Sequence, residues 1–319
     1  MMNKKVVVLG GGTGLSTLLK GLKEFPVDIT AIVSVCDDGK STGRLRCEFN
    51  QVAVGDIRRV LVALSETENR LDEILNYRFK TTSDLDGHTV GNLLLTAAAS
   101  IKGNMSKGIK SLAKVLNLKG RVIPLSEDNE ITLMAKMTDG SIIEGEHNIT
   151  EAHKKIEKIY YKNDPVVSRD AIKAIHDADL IVLSMGSIYT SIIPNLICKE
   201  IVDAIDKSNG NLMYICNIVT QPGETDDFKA SDHINLLNSY LGDKKIQVGI
   251  FNKEEMDAEL LEKYETEEQK DPVILDKENL TDIEIIEDDL IESETGVFRH
   301  DTIRLGVLIL EYLLNQNKR

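Results

Sequence analysis

The sequence lacks any long apolar run. No segment of its 319 residues approaches the roughly 20 consecutive apolar residues that a membrane-spanning helix needs. At the amino terminus, Met1 and two lysines lead into the short run VVVL and then into glycines, which is too short for the apolar core of a secretory signal. We therefore expect a cytoplasmic protein that does not insert into membranes.

Cysteine is scarce, and its spacing argues against two common kinds of site. The four cysteines, Cys36, Cys47, Cys198 and Cys216, form no C-x-x-C pair and lie far from any group of histidines. Structural zinc sites and disulfide frameworks both depend on closely or regularly spaced cysteines. We therefore expect reduced, packed thiols.

Positive charge is also in short supply. The chain has 38 lysines and arginines against 52 aspartates and glutamates, which gives a net charge of −14. Because nucleic acids and anionic membranes are bound by neutralising their phosphates, this balance predicts no nucleic-acid partner and favours small ligands or proteins. Much of the acid lies in residues 253–271 and 283–294, which we interpret as a solvated acidic surface.

Several catalytic motifs are missing. The sequence has no G-x-S-x-G elbow and no H-E-x-x-H helix, so a hydrolase lacks its usual signature. The stretch SVCDDGKSTGRLR (34–46) ends like a nucleotide-triphosphate loop. However, Ser34 stands where the first glycine is needed, and Asp37 and Asp38 stand where backbone amides must face an anion. The stretch is therefore not a triphosphate loop.

The order of apolar runs predicts an α/β fold. A buried strand at 4–9 is followed by a glycine turn, a helical pattern and a second strand at 28–35. The right-handed crossover rule makes these strands parallel, as in Rossmann-like sheets flanked by helices. Further strands are predicted at 179–184, 211–216 and 245–250, and helices at 55–79, 88–101 and 301–316.

One segment departs from this alternation. Residues 131–146 alternate about Asp139-Gly140, a strong turn signal, so we predict a small antiparallel β-hairpin insertion at about 121–146. We expect one large α/β domain over 1–319, with the acidic portion 253–319 packed on the same fold. A homodimer is the default assembly, because closed two-fold oligomers are the commonest.

Ligands of open α/β sheets bind outside the carboxyl ends of the strands. After the first strand comes GGGTG, whose glycines allow close backbone approach and whose Thr13 offers a donor to an anion. The dinucleotide fingerprint fails, because Leu15 and Thr17 occupy its third glycine position in the two registers. A nicotinamide-dependent oxidoreductase therefore has little support, and a purely structural turn is the alternative. The ligand-binding candidates here are Gly11, Gly12, Thr13 and Gly14.

The stretch after the second strand combines acids with bases. Asp37 or Asp38 can accept from a sugar hydroxyl, and the basic and hydroxyl side chains beside them can donate to a phosphate or carboxylate. This chemistry is compatible with a single Mg²⁺ ion bound by Asp37 or Asp38 together with the phosphates of a ligand. Asp38 is the candidate metal ligand, although the spacing of the residues does not establish a metal site. An internal salt-bridge cluster is the alternative. The candidates are Asp37, Asp38, Lys40, Ser41, Arg44 and Arg46.

Four further polar segments complete the candidate set. In VGDIRR, Asp56 is a helix cap and Arg58 sits in the first turn, where a cation needs an anionic partner. His88 lies one helical turn before Asn92, where it contacts a ligand or caps the helix. The loops SMGSIYTS and CNIVTQPGETDDF follow buried strands and are rich in hydrogen-bonding groups. Their candidates are Gly186, Ser187, Tyr189, Asn217, Thr220 and Gln221.

Taken in order, the motifs resemble the bacterial gluconeogenesis factor family. These motifs are GGGTG, DDGKSTGRLR, GDIRRVLVALS, GHTVGNLLL, MGSIYTSIIPNL, CNIVTQPGETD and FRHDT, and they run over nearly the whole chain. The wider superfamily includes the phospholactate transferase of deazaflavin-coenzyme biosynthesis. The sequence departs from the family pattern at Lys40, Val54 and Ser184-Met185, where the family has glycine, proline and glycine-proline.

The resemblance implies a Rossmann-like fold and binding of UDP-sugars such as UDP-N-acetylglucosamine. It also implies a role in cell shape and wall-precursor balance during growth on gluconeogenic carbon sources, without a proven reaction. Within that family, Tyr264 and Arg299 match ligand-binding positions. The leading hypothesis is therefore a UDP-sugar sensor that engages a wall-synthesis or morphogenesis protein. The alternative is a Mg²⁺-dependent transferase of a phosphate-bearing group, like 2-phospho-L-lactate transferase.

Overall fold

Apolar, β-branched runs form the strands of the main sheet. The computed structural model describes residues 3–66, 69–254, 256, 261–262, 264, 266, 269–292 and 298–316. In this part of the chain a seven-stranded, fully parallel sheet has the order β10-β9-β8-β7-β1-β2-β3. Its strands are β1 Lys4–Gly10, β2 Val27–Val33, β3 Arg121–Pro124, β7 Leu180–Leu183, β8 Asn211–Ile215, β9 Val248–Asn252 and β10 Glu284–Asp288.

The strand order reverses at β1. From β1 the chain first builds outward through β2 and β3, and it later returns to add β7, β8, β9 and β10 on the other side. Helices that leave β1 and β7 therefore diverge, which opens a crevice at the carboxyl ends of these strands. The predicted Rossmann-like α/β fold is confirmed.

Helices cover both faces of the sheet, and their apolar sides are buried against it. The predicted helix 55–79 is two helices, because the backbone of Ser65 turns to the extended region and pairs with Leu118 as an isolated bridge. The helices are α1 Gly12–Leu22, α2 Lys40–Phe49, α3 Gly55–Leu64, α4 Asn69–Asn76, α5 Val90–Lys102, α6 Met105–Val115, α7 Glu146–Glu151, α8 Arg169–His176, α9 Ile193–Leu196, α10 Lys199–Lys207, α11 Ala230–Tyr240 and α12 Thr302–Gln316, with a π-helical turn Ile188–Ile192 before α9 and a 3-10 turn Lys277–Asn279.

A small antiparallel sheet stands apart from the parallel one. Its strands are β4 Leu133–Met137, β5 Ile142–Glu144 and β6 Ile156–Tyr161, with β4 in the centre. The hairpin about Asp139-Gly140 lies in this sheet, as predicted. However, residues 121–124 belong to the parallel sheet, and a third antiparallel strand lies beyond residue 146. The antiparallel unit therefore does not coincide with the predicted segment 121–146. Helix α7 lies between β5 and β6 and extends toward the crevice.

The carboxyl-terminal portion contributes to the same layers. Strand β10 is an edge strand made from part of the acidic segment 283–294, and α12 packs on α1. Asp301 caps α12 by accepting from the amide of Arg304 at 2.9 Å. Much of the predicted acidic surface at 253–271 lies outside the described residues. Among the residues described, no helix has the length and apolarity that crossing a membrane requires.

Candidate functional site

A crevice of about 730 Å³ lies at the strand reversal. Loops that follow β1, β7 and β8 form three of its walls, and α7 with the segments around residues 270 and 299 closes it. Its volume suits a ligand of nucleotide size. The lining residues are Thr13, Gly14, Thr17, Thr150, His153, Met185, Gly186, Ser187, Asn217, Ile218, Val219, Thr220, Gln221, Pro222, Lys270, Phe298, Arg299 and His300.

The charge of the crevice is opposite to that of the protein. Among the described residues that line it there is no aspartate or glutamate, although the chain contains 52 of them. Lys270 and Arg299 bring positive charge, and the first turn of α1 adds the positive end of a helix at Thr13 and Gly14. The crevice therefore favours an anionic ligand.

Close backbone contact joins the loops after β1 and β7. A Cβ atom added at Gly14 would lie 2.0 Å from the carbonyl oxygen of Met185, so only glycine fits there. Gly186 has φ +131°, a conformation that side chains disfavour. The side chain of Asn217, in the loop after β8, holds Gly186 in place, because it accepts from the amide of Gly186 and donates to its carbonyl, both at 2.8 Å.

The loop after β8 is held from behind by a buried carboxylate. Glu224 accepts hydrogen bonds from Ser187 Oγ at 2.6 Å and from Gln221 Nε2 at 2.7 Å. Burial raises the pKa of Glu224 to about 7, although its hydrogen bonds work in the opposite direction. Thr220 pairs instead with Asp271, whose amide donates to the threonine hydroxyl at 2.8 Å, and this pairing brings Lys270 to the crevice.

Tyr264 supports the crevice without lining it. It is 4% exposed, its ring packs 4.8 Å from that of Phe298, and its hydroxyl accepts from the Phe298 amide. This contact positions the segment that carries Arg299, whose side chain is exposed and reaches the crevice. His300 donates through Nε2 to the carbonyl of Cys216, and burial lowers its pKa to about 4. His300 is therefore neutral near pH 7.

A second, acidic cavity of about 270 Å³ adjoins the crevice, and Thr150 of α7 lines both. Gly12, Asp37, Asp56 and Glu146 face it. Burial and the neighbouring carboxylates raise the pKa of Glu146 to about 8. Burial and Asp37 raise the pKa of Asp56 to about 6, against the influence of Arg59. The structure thus separates a cationic crevice from an acidic cavity.

The two aspartates of the 34–46 stretch fasten helix starts. Asp37 accepts from the Gly39 amide and the Thr42 hydroxyl, both at 2.9 Å, at the start of α2. Asp38 accepts from the amide of His147 in α7 at 2.8 Å. Within the described part of the chain, no three His, Cys, Asp or Glu side chains are placed to hold one metal ion. One carboxylate acting with ligand phosphates is not such a cluster, so the Mg²⁺ site on Asp38 stays a prediction.

The other polar residues of this stretch bond mainly to the protein itself. Ser41 is buried and joins His88, at 3.0 Å from Nδ1, to Asn92, whose Nδ2 donates at 3.1 Å. Arg44 donates to the backbone carbonyls of residues 84 and 86, and Arg46 to those of 129 and 131. Lys40 is exposed at the first position of α2 and does not line the crevice.

The predicted cap at Asp56 is wrong, and of the two alternatives for His88, capping is not observed. Helix α3 begins at Gly55 with Val54 as its N-cap, and Asp56 instead pairs with Arg59 at 2.8 Å and accepts from the backbone of Gly12. Arg58 is buried and donates to Asn76 Oδ1. Helix α5 is capped by Thr89 rather than by His88, which precedes the helix.

The crevice thus brings together only part of the predicted set. Gly11, Gly12, Asp37 and Asp56 lie at or near the acidic cavity, whereas Tyr189 and Tyr264 are buried beside the crevice. Sequence reasoning missed Glu224 and Glu146, whose importance comes from burial, and Phe298 and His300, although both flank Arg299 in FRHDT. The predicted residues that line the crevice are Thr13, Gly14, Gly186, Ser187, Asn217, Thr220, Gln221 and Arg299.

Known proteins resemble this chain over nearly its whole length. The family model described as 2-phospho-L-lactate transferase CofD matches residues 6–291. Gluconeogenesis factor from Halalkalibacterium halodurans is 43% identical over 314 residues, covering 98% of this chain and 97% of that protein. Gluconeogenesis factor from Bacillus subtilis is 41% identical over 314 residues, covering 97% and 98%.

A solved structure agrees with the fold as well as with the sequence. The crystal structure of a UPF0052 family member from Bacillus halodurans has a TM-score of 0.92 and 42% identity, covering 97% of this chain and 99% of that one. The resemblance predicted from the ordered motifs is therefore confirmed. The chain belongs to the family described as 2-phospho-L-lactate transferase CofD, and within it is related to the gluconeogenesis factors.

Proposed function

We propose that the protein is a cytoplasmic regulatory protein that binds a UDP-sugar such as UDP-N-acetylglucosamine in the crevice. The observation that carries this proposal is a crevice whose described lining residues include Lys270 and Arg299 but no carboxylate, in a protein of net charge −14. Such a wall suits the diphosphate of a sugar nucleotide, because charge-assisted hydrogen bonds to phosphate are strong. The volume of about 730 Å³ is large enough for the base and the sugar as well.

The rest of the wall matches the other parts of such a ligand. Asn217, Thr220 and Gln221 supply amide and hydroxyl groups for sugar hydroxyls or a base edge, and Phe298 supplies an apolar face. The names of the relatives support a role in gluconeogenic growth. We extend the proposal to a role in cell shape and wall-precursor balance. The protein would act in this role by contacting a wall-synthesis or morphogenesis protein, and it would itself be a homodimer.

The regulatory reading is favoured over catalysis by the state of one hydroxyl that lines the crevice, that of Ser187. Ser187 Oγ donates to Glu224, and both of its lone pairs accept from Thr190, so neither lone pair is available to attack a bound ligand. We therefore expect the bound sugar nucleotide to be released unchanged.

Calorimetric titration of UDP-N-acetylglucosamine tests the proposal. We expect saturable binding to the wild type and a loss of about 10- to 100-fold in affinity in Arg299→Ala, since a hydrogen bond to a charged group is removed. The matched control is Arg169→Ala, an exposed arginine at the start of α8 that should bind normally. Absence of saturable binding to the wild type at millimolar ligand would refute the proposal.

A second candidate is transfer of a phosphate-bearing group, which the description of the matching family favours. The acidic cavity beside the crevice is the feature that supports it, because Asp56 and Glu146 could exchange protons near neutral pH. Analysis of the titrated samples for released mononucleotide, with and without Mg²⁺, separates the two candidates. Turnover that disappears in Asp56→Asn would favour the transferase.

A further inference from the structure

A buried carboxylate lies directly behind the crevice wall. Glu224 is 5% exposed and does not line the crevice itself. Its Oε2 accepts from the hydroxyl of Ser187 at 2.6 Å and from the amide of Tyr189 at 3.4 Å, and its Oε1 accepts from Gln221 Nε2 at 2.7 Å. Ser187 and Gln221 are both crevice residues. Glu224 therefore controls two groups that face the ligand space.

The hydroxyl of Ser187 is fully occupied by these contacts. A serine hydroxyl has one hydrogen to donate and two lone pairs to accept with. The hydrogen points to Glu224, and the lone pairs accept from the amide of Thr190 at 2.9 Å and from its hydroxyl at 2.8 Å. Ser187 therefore offers no hydrogen bond to a ligand while Glu224 is ionised.

The side-chain amide of Gln221 is oriented by the same carboxylate. An ionised carboxylate only accepts hydrogen bonds, so the NH₂ group of Gln221 must turn toward Glu224. The carbonyl oxygen of the same amide is thereby turned away from Glu224, and with the second N–H it is left for other partners of this crevice residue. Of the two crevice residues bonded to Glu224, Gln221 thus supplies the acceptor available to a ligand, and the carboxylate sets the orientation of that acceptor.

We propose that Glu224 is a positioning residue that fixes Gln221 as a hydrogen-bond acceptor, so that the ligand group bound at this wall is an N–H or O–H donor. The proposal rests on the proposed function, because the ligand class is the UDP-sugar, whose imide and hydroxyl groups are such donors. It goes beyond the proposed function because it assigns a hydrogen-bonding role to Gln221 and names Glu224 as the residue that sets this role. A ligand that presents an acceptor to the Gln221 carbonyl is disfavoured, since two acceptors would face each other without a proton.

Protonation of Glu224 reverses this arrangement. A protonated carboxyl donates from one oxygen, and Gln221 can then turn its carbonyl inward and show NH₂ to the crevice. Burial raises the pKa of Glu224 to about 7, so this change falls near neutral pH. The groups packed around it are the Tyr189 phenol, the backbone of His153 against Gly223, and Asp226, which accepts from the Gly223 amide. Because the ionised form prepares the acceptor, ligand affinity should fall as pH decreases through about 7.

The test is calorimetric titration of UDP-N-acetylglucosamine at pH 6 and pH 8 into variants of the full chain. The wild type should bind about tenfold more weakly at pH 6, as expected for one group that titrates between these values. Glu224→Gln keeps the size of the side chain but turns the Gln221 amide, so it should bind about tenfold more weakly at pH 8 and show no further loss at pH 6. Asp227→Asn, an exposed charge removal in the same loop, is the matched control and should behave as wild type.

A double-mutant cycle separates positioning from mere support of the fold. If Glu224 acts through Gln221, the change Glu224→Gln should cost almost nothing in a Gln221→Leu background, where the acceptor is already absent. Fully additive losses would overturn the proposal, and so would a wild-type affinity that is equal at pH 6 and pH 8.

The Gln221 side-chain NH₂ resonance distinguishes failure of this proposal from failure of the proposed function. It is measured by NMR without ligand and assigned by its disappearance in Gln221→Leu. It should shift with pH around 7 in the wild type and not in Glu224→Gln. If the wild type binds no UDP-N-acetylglucosamine, the proposed function fails, and this resonance still decides whether Glu224 orients Gln221. A resonance that does not respond to pH in the wild type overturns the positioning role, whether or not Glu224→Gln folds.

Discussion

At the scale of single residues, Ser41 illustrates how polar side chains of the 34–46 stretch are used. Its hydroxyl lies 3.0 Å from His88 Nδ1 and accepts from Asn92 Nδ2 at 3.1 Å, and all three side chains are buried. Buried polar groups that lose their partners are costly, because they cannot return to water. This trio therefore ties α2 to α5, and none of its members lines the crevice.

We expect Ser41→Ala to lower the free energy of unfolding by about 1–3 kcal/mol, since it leaves two buried groups without a partner. Affinity for UDP-N-acetylglucosamine should stay within about twofold of wild type under conditions where the variant is folded, a change below about 0.5 kcal/mol. Urea unfolding and calorimetry measure the two effects. Ser100→Ala, an exposed serine in α5, is the control. A stable Ser41→Ala that no longer binds would place Ser41 in the ligand site instead.

The residue scale also shows which assignments were accessible from sequence. Thr13, Gly186 and Asn217 follow predicted strands, and strand ends of parallel sheets gather at one edge, so their presence in the crevice could be anticipated. Asp37 and Asp38 follow a strand in the same way, yet their oxygens serve the starts of α2 and α7. Position along the chain gives the edge of the sheet, whereas the hydrogen-bond partner depends on which segments arrive there.

At the scale of elements, the crevice depends on how closely the loops after β1 and β7 approach. Gly14 lies in the first turn of α1, and its backbone faces the Met185 carbonyl directly. Alanine is a better helix former than glycine by about 1 kcal/mol, so helix propensity alone would predict stabilisation by Gly14→Ala. The contact across the crevice reverses that expectation.

We expect Gly14→Ala to destabilise the protein by about 1–3 kcal/mol, because the added methyl group overlaps backbone that cannot rotate away. It should also weaken UDP-N-acetylglucosamine binding by displacing the Met185 loop. Gly39→Ala is the comparison, since its methyl group would meet only the Asp37 side chain, at 3.1 Å. Thermal unfolding and calorimetry of both variants test this. A Gly14→Ala protein as stable and as tightly binding as wild type would contradict it.

Element types were more predictable than element boundaries. The strands at 4–9, 28–35, 179–184 and 211–216 were found, because parallel strands buried on both faces are continuous apolar runs. The edge strand β10, made of EIIED, was hidden in an acidic segment, since only two of its five residues are apolar. The third antiparallel strand, IEKIYY, was also missed, because its alternation is interrupted and its pairing partner β4 is distant in sequence.

At the scale of the whole molecule, charge is partitioned between two neighbouring cavities. The crevice carries Lys270 and Arg299, whereas the adjoining cavity gathers Asp37, Asp56 and Glu146 around Arg59. Burial opposes ionisation of Glu146 and Asp56, and the neighbouring carboxylates add to the effect. The pKa of Glu146 rises to about 8 as a result, and that of Asp56 to about 6.

These shifts predict that stability falls as pH rises from 6.5 to 8. A raised carboxyl pKa means that the folded state holds the proton more tightly than the unfolded state. The contribution of this group to the free energy of unfolding is therefore fully present below the unfolded pKa, and it is lost as pH rises through the folded pKa. His233 and His300, whose pKa values are lowered to about 4 by burial, act only below their ordinary pKa of 6.5. The change in unfolding free energy between pH 6.5 and 8 therefore comes from the carboxyl groups with raised pKa values, including Glu224.

Glu146→Gln should remove part of this dependence. Relative to wild type, we expect the fall in unfolding free energy between pH 6.5 and 8 to shrink by about 1–2 kcal/mol. Urea unfolding at several pH values provides the measurement. Glu151→Gln, an exposed change on the same helix α7, should retain the wild-type dependence. If the unfolding free energy of Glu146→Gln changed with pH as steeply as that of the wild type, Glu146 would not be a source of this pH dependence.

The sequence by itself determined the α/β class, the parallel sheet, the edge that carries the crevice and, through the order of its motifs, the family. These follow from local patterns: apolar runs, glycine turns and strand-end loops, each of which acts over a few residues. Only the tertiary structure decided which polar groups face the ligand space. Lys270 and Arg299 reach the crevice from segments distant in the chain, and Glu224 matters because it is buried behind Gln221. Burial and partnership of polar groups arise when separate segments pack together, and no local pattern encodes them.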